Sequence, residues 1–370
     1  MTTSLERILD ALATVVDPDR GKDIVRLGLV KDLRVEGDTV AFTLLLKNPA
    51  APFARTAAEQ ARQAVHAALG PAVQVNVHVD NEMIGLGDDL TLSGAETPKA
   101  EERPVHTIAV ASGKGGVGKS TVAVNLAVAL ARAGYDVGLV DTDIYGPSIP
   151  TMFGLKEARP RVNDARKIIP LEQHGVKLLS MGFLVDPDKA VIWRGPMVSS
   201  AVRQFLNDTA WGALDFLVLD LPPGTGDIQL TIVQTVPLSG AIIVSTPQDV
   251  ALADARKGVA MFEQVNVPVL GLVENMAYFT PPDLPDRKYY LFGEGGARRL
   301  AEELGVPLLG EVPIEQSLRE SCDAGTPVVL AAPESVSARA FTHLAGQVAR
   351  QTALHHATLP STPPVEISYR

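Results

Sequence analysis

The sequence has very little cysteine, few aromatic residues and no long apolar run. Cys322 is the only cysteine among 370 residues, so a single chain can form no disulfide and offers no paired thiols. A lone cysteine fits a reducing compartment, and we expect a cytoplasmic protein. The most apolar runs, 216–219 and 241–244, are too short to cross a bilayer, and the first ten residues contain no signal-like apolar segment. We therefore expect no association with a membrane.

Positive charge is also scarce. The chain carries 33 Lys and Arg against 43 Asp and Glu, and its formal net charge is -10. The phosphate backbone of a nucleic acid is normally met by a basic face, so we expect no nucleic-acid partner. The seven histidines show no spacing typical of metal ligands. Hydrophobic residues nevertheless make up 46% of the chain, which is enough to form a buried core in one large domain or in two.

A polar, charged and proline-containing stretch at 91–104 divides the chain and predicts a linker. The helical and strand-like patterns before it predict a small α+β domain over residues 1–90. The predicted helices and strands of this domain are 4–15, 25–30, 40–46, 54–69 and 73–79.

From residue 105 onwards, short apolar runs alternate with helical stretches. Strands that alternate with helices form βαβ units, so we predict an α/β domain over 105–355 with a mainly parallel sheet flanked by helices. A closing helix is predicted at 335–355 and a disordered tail at 356–370. The predicted strands are 107–111, 137–140, 176–179, 216–219, 241–245 and 269–273.

The segment 113–120 reads Gly-Lys-Gly-Gly-Val-Gly-Lys-Ser, follows a predicted strand and opens a predicted helix. This is the phosphate-binding P-loop pattern in the context that it requires, and it predicts a P-loop NTPase. Its glycines let backbone N–H groups turn towards phosphate oxygens, and the helix N-terminus adds its positive dipole end. The alternative is a glycine-rich turn that binds nothing, which the complete pattern disfavours. The nucleotide-binding residues predicted here are Gly113, Lys114, Gly115, Gly116, Val117, Gly118, Lys119, Ser120 and Thr121.

The polar side chains of this loop have separate predicted roles. Lys119 should reach the β- and γ-phosphates, Ser120 should ligate Mg²⁺, and Thr121 should contact the α-phosphate. Lys114 is an additional lysine inside the loop, and the pattern leaves two interpretations of it open. It is either a solvated surface lysine or a finger that contacts a nucleotide across a dimer interface.

Carboxylates follow two further predicted strands. Asp141 and Asp143 come after the strand 137–140, where they can orient a hydrolytic water and hold Mg²⁺ through its hydration shell, or can simply cap a helix. Asp220 ends the strand 216–219, which is the Walker B arrangement of a Mg²⁺-binding carboxylate. The glycine-containing segment 221–227 follows Asp220 and is typical of a loop that senses the γ-phosphate.

Together these segments resemble the Mrp (ApbC-like) family of P-loop ATPases, relatives of MinD and of nitrogenase iron protein. The resemblance covers nearly the whole chain, because the N-terminal unit is similar to the small domain often fused ahead of these ATPases. It rests on the segments 113–120, 141–148, 193–197, 220–227, 248–252, 274–276 and 292–296. It implies an ATP-hydrolysing homodimer in which Lys114 acts in trans, Asp143 places the attacking water and Asn275 binds nucleotide. It also implies a carrier or scaffold of [4Fe-4S] clusters whose partners are apo iron–sulfur proteins or an assembly scaffold.

The chain departs from the family pattern in its cysteines. Many members carry a Cys-x-x-Cys shortly after the Glu-Asn-Met stretch, where this chain has Pro281 and Leu284. Many also carry a cysteine in the small domain, where this chain has Ala51. Because iron–sulfur clusters are held mainly by thiolates, two chains with only Cys322 cannot form the usual four-thiolate bridge. We assign no residue to a cluster.

Two other functions compete with cluster carriage. One is a MinD-like switch in which ATP-driven dimerisation regulates a partner protein. Its membrane-binding version would need a basic amphipathic C-terminal helix, whereas only Arg350 and Arg370 are basic from residue 349 onwards. The other is an ATPase that segregates nucleic acid, which the acidic net charge disfavours.

Overall fold

The computed structural model describes residues 2–46, 52–80, 105–144, 146–183, 195–281, 283–284 and 286–359. The predicted linker, Ala51, and parts of two family-like segments (Tyr145 and residues 193–194) lie outside this part of the chain, as does the predicted tail from residue 360. The chain divides into two compact units. Unit 1 comprises residues 1–100 and 350–370, and unit 2 comprises residues 101–349.

Unit 1 is a small α+β structure. Strand β3 (Val30–Glu36) pairs antiparallel with β4 (Thr39–Leu45), and β4 pairs parallel with β5 (Gln74–Asp80). Apolar residues at helical and alternating spacing, among them Ile8, Phe42 and Val65, form its core. The elements are α1 (Thr2–Leu12), β1 (Val16–Asp17), β2 (Lys22–Asp23), β3 (Val30–Glu36), β4 (Thr39–Leu45), α2 (Pro52–Leu69) and β5 (Gln74–Asp80).

The predicted strand 25–30 is wrong in most of its length, because residues 24–28 form a turn. The Asp23 carboxylate accepts hydrogen bonds from the backbone N–H groups of Val25 and Arg26, at 3.0 and 2.8 Å. Such local bonds compete with strand formation, and Gly28 closes the turn at a φ of 64°. The apolar composition of this segment therefore predicted a strand where an aspartate-centred turn forms.

Unit 2 contains an eight-stranded sheet in its described part. The strands of the eight-stranded sheet are β6 (His106–Ala111), β7 (Val137–Asp141), β10 (Leu171–Gln173), β11 (Val176–Ser180), β12 (Phe216–Asp220), β13 (Gly240–Ser245), β14 (Val269–Phe279) and β15 (Leu308–Ile314). Two further short strands, β8 (Arg161–Val162) and β9 (Ile168–Ile169), pair only with each other among the described strands. The helices are α3 (Lys119–Arg132), α4 (Ile149–Met152), α5 (Gly195–Asn207), α6 (Asp227–Thr235), α7 (Asp249–Gln264), α8 (Gly296–Leu304), α9 (Gln316–Asp323), α10 (Val328–Ala331) and α11 (Val336–Thr358).

The sheet has the strand order β10-β11-β7-β12-β6-β13-β14-β15. Only β10 pairs antiparallel within the described sheet. Successive residues of β6 alternate between two hydrophobic clusters, with Ile108 in one and Ala109 in the other, so both faces of the sheet are covered. The predicted α/β class with a mainly parallel sheet is confirmed. The edge strands β10 and β15 were not predicted.

Helix α11 runs three residues beyond its predicted end, so the predicted tail starts inside a helix. Its residues from Arg350 onwards belong to unit 1, whereas the sequence predicted that the second domain continues to residue 355. Ala357 is buried in the core of unit 1, and Leu354 packs against the same core. Arg350 forms an ion pair with Glu6 at 3.0 Å. None of the helices in the described ranges has both the length and the apolar character needed to span a bilayer.

Candidate functional site

The candidate site lies where three neighbouring parallel strands end. In the order β7-β12-β6, the register places Asp220 beside Asp141 on one side and beside Val110 on the other. The carboxyl edge of an open α/β sheet is where ligands bind in this class of fold. The loops that follow these strands therefore converge on one place.

The loop between β6 and α3 packs tightly against two other segments. A Cβ atom on Gly113 would lie 2.2 Å from the carbonyl carbon of Asp254 in α7. Gly118 adopts a φ of 81°, and a Cβ there would lie 2.1 Å from Nδ2 of Asn275. The backbone of Asp254 leaves no room for a side chain at Gly113, and Gly118 is favoured by its positive φ as well as by its contact with Asn275. Helix α3 begins at Lys119, directly after Gly118.

Lys119, Ser120 and Asp220 lie together at the start of α3, as the sequence predicted. The Lys119 Nζ atom is 2.5 Å from Oδ1 of Asp220 and 3.1 Å from Oγ of Ser120. Lys119 is 6% exposed and Asp220 is fully buried. Burial raises the pKa of Asp220, and the charge of Lys119 opposes this shift.

The second oxygen of Asp220 differs from the first. Its Oδ2 atom is buried and has no hydrogen-bond partner within the described residues. A hydroxyl and a carboxylate oxygen are ligands that Mg²⁺ prefers, and this metal is usually bound by one or two protein groups together with phosphates. The hydroxyl of Ser120 and Oδ2 of Asp220 therefore fit a magnesium ion.

The two carboxylates after β7 differ in environment. Asp141 is fully buried, and its Oδ2 accepts a hydrogen bond from the Ser180 hydroxyl at 2.9 Å. Its Oδ1 accepts a hydrogen bond from the Asp143 backbone N–H at 3.1 Å, so the side chain organises the loop that follows. Burial, with a smaller contribution from Asp220, raises the pKa of Asp141 to about 8. The hydrogen bonds of Asp141 therefore give it a structural role in the loop after β7.

Asp143 instead lines a cavity of about 490 Å³. Its Oδ1 accepts a hydrogen bond from the Gly146 N–H at 3.2 Å. Residues of the loop after β12 and the first turn of α6 form the rest of the wall. The lining residues are Asp143, Gly146, Pro222, Pro223, Gly226, Asp227, Ile228 and Gln229.

The remaining predicted residues occupy different positions around the loop. Lys114 is half-buried, and its carbonyl accepts a hydrogen bond from the Ser112 hydroxyl at 3.0 Å. Thr121 lies in the first turn of α3. Asn275 is buried, and its Nδ2 donates a hydrogen bond to the carbonyl of Val117 at 2.8 Å. Asn275 therefore stabilises the backbone of the loop.

Sequence reasoning missed two groups around the site. Ser112 accepts a hydrogen bond from the Gly224 N–H through its carbonyl at 3.0 Å, which joins the loops after β6 and β12. Gln229 is 2% exposed and lies in the wall of the cavity beside Asp143. The one available signal was that Gln229 follows the predicted Walker B residue Asp220 by nine residues. A glutamine at that distance matches no known motif, so this signal was too weak to use.

The segments expected to hold a cluster offer no thiolate. Leu284, at one of the expected cysteine positions, is 45% exposed, and Tyr289 and Tyr290 nearby are 40% and 41% exposed. Cys322 is packed in the core of unit 2, and burial raises the pKa of its thiol. Within the described ranges, no group of three or more His, Cys, Asp or Glu side chains is placed to hold a metal.

Comparisons with known proteins match both units. The family model described as NUBPL iron-transfer P-loop NTPase matches residues 103–349, and a model described as iron-sulfur cluster assembly protein matches residues 5–79. The chain is 49% identical to a Synechocystis protein named iron-sulfur cluster carrier protein, over 94% of this chain and 98% of that one. An Escherichia coli protein of the same name is 52% identical over 72% of this chain and 70% of its own length.

Solved structures show the same fold. A nucleotide-binding protein of Archaeoglobus fulgidus in complex with ADP superimposes with a TM-score of 0.54 and 44% identity, over 60% of this chain and 86% of that one. The cell-division ATPase MinD of Pyrococcus furiosus superimposes with a TM-score of 0.50 at 24% identity, over 66% of this chain and 98% of that one.

Proposed function

The chain belongs to the family of NUBPL-type iron-transfer P-loop NTPases, and from this premise we propose that it binds and hydrolyses MgATP as a homodimer in the carriage or transfer of iron–sulfur clusters. The observation that carries the proposal is the group of Lys119, Ser120 and Asp220, in which the buried Lys119 at the start of α3 contacts both other side chains. Its position at the end of the glycine loop is where a P-loop NTPase handles the terminal phosphates. A cytoplasmic location remains a prediction from the sequence.

Nucleotide binding would use the whole loop. Backbone N–H groups of residues 113–118 and the N-terminus of α3 would surround the phosphate oxygens. Lys119 would turn from Asp220 to the β- and γ-phosphates, and Thr121 would contact the α-phosphate. Asn275 would act by holding the Val117 carbonyl, which fixes the loop conformation that phosphate binding needs.

Ser120 and Asp220 would hold Mg²⁺. The bound ion would neutralise charge on the β- and γ-phosphate oxygens. Asp220 fits this role because its Oδ2 atom has no hydrogen-bond partner among the described residues, while its Oδ1 atom contacts Lys119.

Asp143 would orient the attacking water. Its carboxylate lines a cavity beside the loop after β12, so a water there can donate a hydrogen bond to it. Lys114 would act across the dimer, where a charge supplied in trans stabilises the transition state. Lys114 is only half-buried in the single chain, so its exposed part is accessible to a second chain.

The iron–sulfur cluster is the cargo in this proposal, and the partners are apo iron–sulfur proteins or an assembly scaffold. Cys322 is the only thiol of the chain and is buried in the core, so the residues present do not fit a resident cluster. The names of the relatives and the match of unit 1 to a cluster-assembly family support the role. We therefore propose that the protein acts through ATP-gated contact with client or scaffold proteins.

A switch that regulates a partner by ATP-dependent dimerisation is the second candidate. The same absence of paired thiols from the sequence favours it, since such a switch needs no cargo ligands. The two functions share the ATPase cycle and differ in the client.

The test measures phosphate release from ATP with and without Mg²⁺, and then transfer of a cluster. Purified protein should hydrolyse ATP only with Mg²⁺, and should accelerate activation of an apo iron–sulfur enzyme by a loaded scaffold in an ATP-dependent manner. Hydrolysis without any effect on transfer would favour the switch. Absence of Mg²⁺-dependent hydrolysis would refute the ATPase assignment.

A further inference from the structure

Gln229 occupies an unusual position in the first turn of α6. Its side chain is 2% exposed and lines the same cavity of about 490 Å³ as Asp143. The Oε1 atom is buried and accepts no hydrogen bond from the described residues. Gln234, five residues further along α6, is exposed and does not line this cavity.

A buried amide oxygen without a donor destabilises the folded state, and such groups are rare in proteins. A methionine or leucine side chain would fill similar space in α6 without this cost. The polar group is therefore unexplained by packing alone. An amide can turn about its last torsion angle and exchange oxygen for nitrogen, so a donor that enters the cavity can satisfy Gln229.

The hydrolysis proposed above requires such a donor. A water that attacks the γ-phosphorus must direct a lone pair at phosphorus, so its two hydrogens must point at acceptors on the opposite side. Asp143 supplies one acceptor on the cavity wall. A single acceptor leaves the water free to rotate about that hydrogen bond, and a second one fixes its orientation.

We propose that Gln229 is a further catalytic residue, whose amide oxygen accepts the second hydrogen bond of the attacking water; this rests on the proposed ATPase function. The water oxygen bonds to the γ-phosphorus, and the bond from phosphorus to the β,γ-bridging oxygen breaks. The products are ADP and inorganic phosphate. The proton lost by the water passes to Asp143 or to a phosphate oxygen and then to solvent, while Gln229 orients the water and takes no proton.

The position of Gln229 suits this role for a second reason. It lies nine residues after Asp220, on the first turn of the helix that follows the loop after β12. That loop is joined to the phosphate loop by the bond from the Gly224 N–H to the Ser112 carbonyl. A bound γ-phosphate can therefore influence the position of α6, and with it the position of the second acceptor.

The experiment compares Gln229→Met with Gln234→Met in the full-length chain. Gln229→Met should lower kcat by about a hundredfold, the order of loss expected when a reacting group is misplaced. Affinity for a non-hydrolysable ATP analogue should stay within about twofold, whereas affinity for ADP with aluminium fluoride, which mimics the transition state, should fall with kcat. The melting temperature should be unchanged or higher, because an unsatisfied oxygen is removed. Gln234→Met should leave all four quantities unchanged.

A second variant separates acceptor loss from a packing defect. Gln229→Glu keeps an acceptor at the same reach and should retain more turnover than Gln229→Met. Equal turnover in wild type and Gln229→Met would overturn the proposal, as would parallel losses of kcat and of analogue affinity. If Gln229→Met fails to fold, Gln229→Leu is measured instead. Full turnover in Gln229→Leu would also overturn the proposal. Lack of hydrolysis by the wild type would instead refute the ATPase function on which the proposal rests.

Discussion

The Nζ atom of Lys119 lies 2.5 Å from Oδ1 of Asp220, and both side chains are buried. The pair connects the first residue of α3 with the last residue of β12. Burying a charged group away from water costs free energy, and the attraction between Lys119 and Asp220 offsets this cost for both side chains. The pair therefore ties the stability of unit 2 to the residues proposed for catalysis.

Removing Lys119 should affect both activity and stability. Lys119→Ala should abolish hydrolysis, because the charge facing the β- and γ-phosphates is lost. It should also lower the free energy of unfolding by about 3–5 kcal/mol, since Asp220 is left buried without its partner. The double variant Lys119→Met with Asp220→Asn should recover most of the stability and none of the turnover. Urea denaturation and phosphate release measure the two effects, and full activity of Lys119→Ala would contradict the site assignment.

Lys114 should matter for turnover more than for binding. If it acts across the dimer, Lys114→Ala should reduce kcat by at least about a hundredfold while the affinity for ATP changes by less than about fivefold. Lys156→Ala, at an exposed lysine away from the loop, is the control. Mixing Lys114→Ala with an excess of a nucleotide-binding-deficient Lys119→Ala chain should restore some turnover in mixed dimers. A monomeric enzyme with normal kcat would refute the trans role.

Acid should destabilise unit 1 through His356. Burial, then the nearby charge of Lys31, lowers the pKa of this histidine to about 4 from its ordinary 6.5, and His355 is shifted in the same direction. A lowered folded-state pKa gives a contribution that is present above pH 6.5 and lost as the pH falls through 4. Its size is up to about 3 kcal/mol. His356→Gln keeps a donor for the Gly28 carbonyl and cannot titrate, so its unfolding should depend less on pH over this window.

The C-terminal boundary of a stable catalytic fragment should lie within α11, where the chain passes from unit 2 to unit 1 at residue 350. All candidate site residues lie in unit 2, so a fragment of residues 101–349 should hydrolyse ATP at close to the wild-type rate. A fragment of residues 104–370 retains Leu354 and Ala357, which are packed in the core of unit 1, and should aggregate more. Gel filtration and phosphate release compare the two. A folded but inactive 101–349 fragment would show that unit 1 contributes to catalysis.

The sequence predicted the central strands and the phosphate loop because their signals are local. Buried parallel strands such as β6, β12 and β13 are mainly apolar along their length, and close packing at Gly113 and Gly118 constrains the loop pattern. Edge strand β15 escaped prediction because Gly310 and Pro313 interrupt its pattern. The turn at 24–28 was missed because the hydrogen bonds of Asp23 prevail over apolar composition.

The roles of individual side chains needed the three-dimensional structure. Asp141 and Asp143 are two residues apart and look equivalent in the sequence. In the structure, the buried Asp141 is hydrogen-bonded to Ser180, whereas Asp143 lines a cavity. Gln229 and Asp143 lie far apart in the sequence, and the fold brings them to the wall of one cavity, which no local pattern encodes. The end of α11 joins unit 1 through long-range contacts that periodicity cannot reveal.

The last prediction concerns the cluster itself. Thiolates are the natural ligands of cluster iron, and Cys322, the only thiol, is buried beside Asn125 in the core of unit 2. The polar groups around the vacant cysteine positions, among them Asp283 and Tyr289, are poor substitutes. Anaerobic reconstitution with iron and sulfide should therefore yield far fewer than four irons per dimer after desalting, and no persistent visible absorption band.

Restoring the missing pair with Pro281→Cys and Leu284→Cys should raise the retained iron. About four irons per dimer in the wild type, with a band that survives Cys322→Ala, would show that ligands other than thiolate hold the cluster.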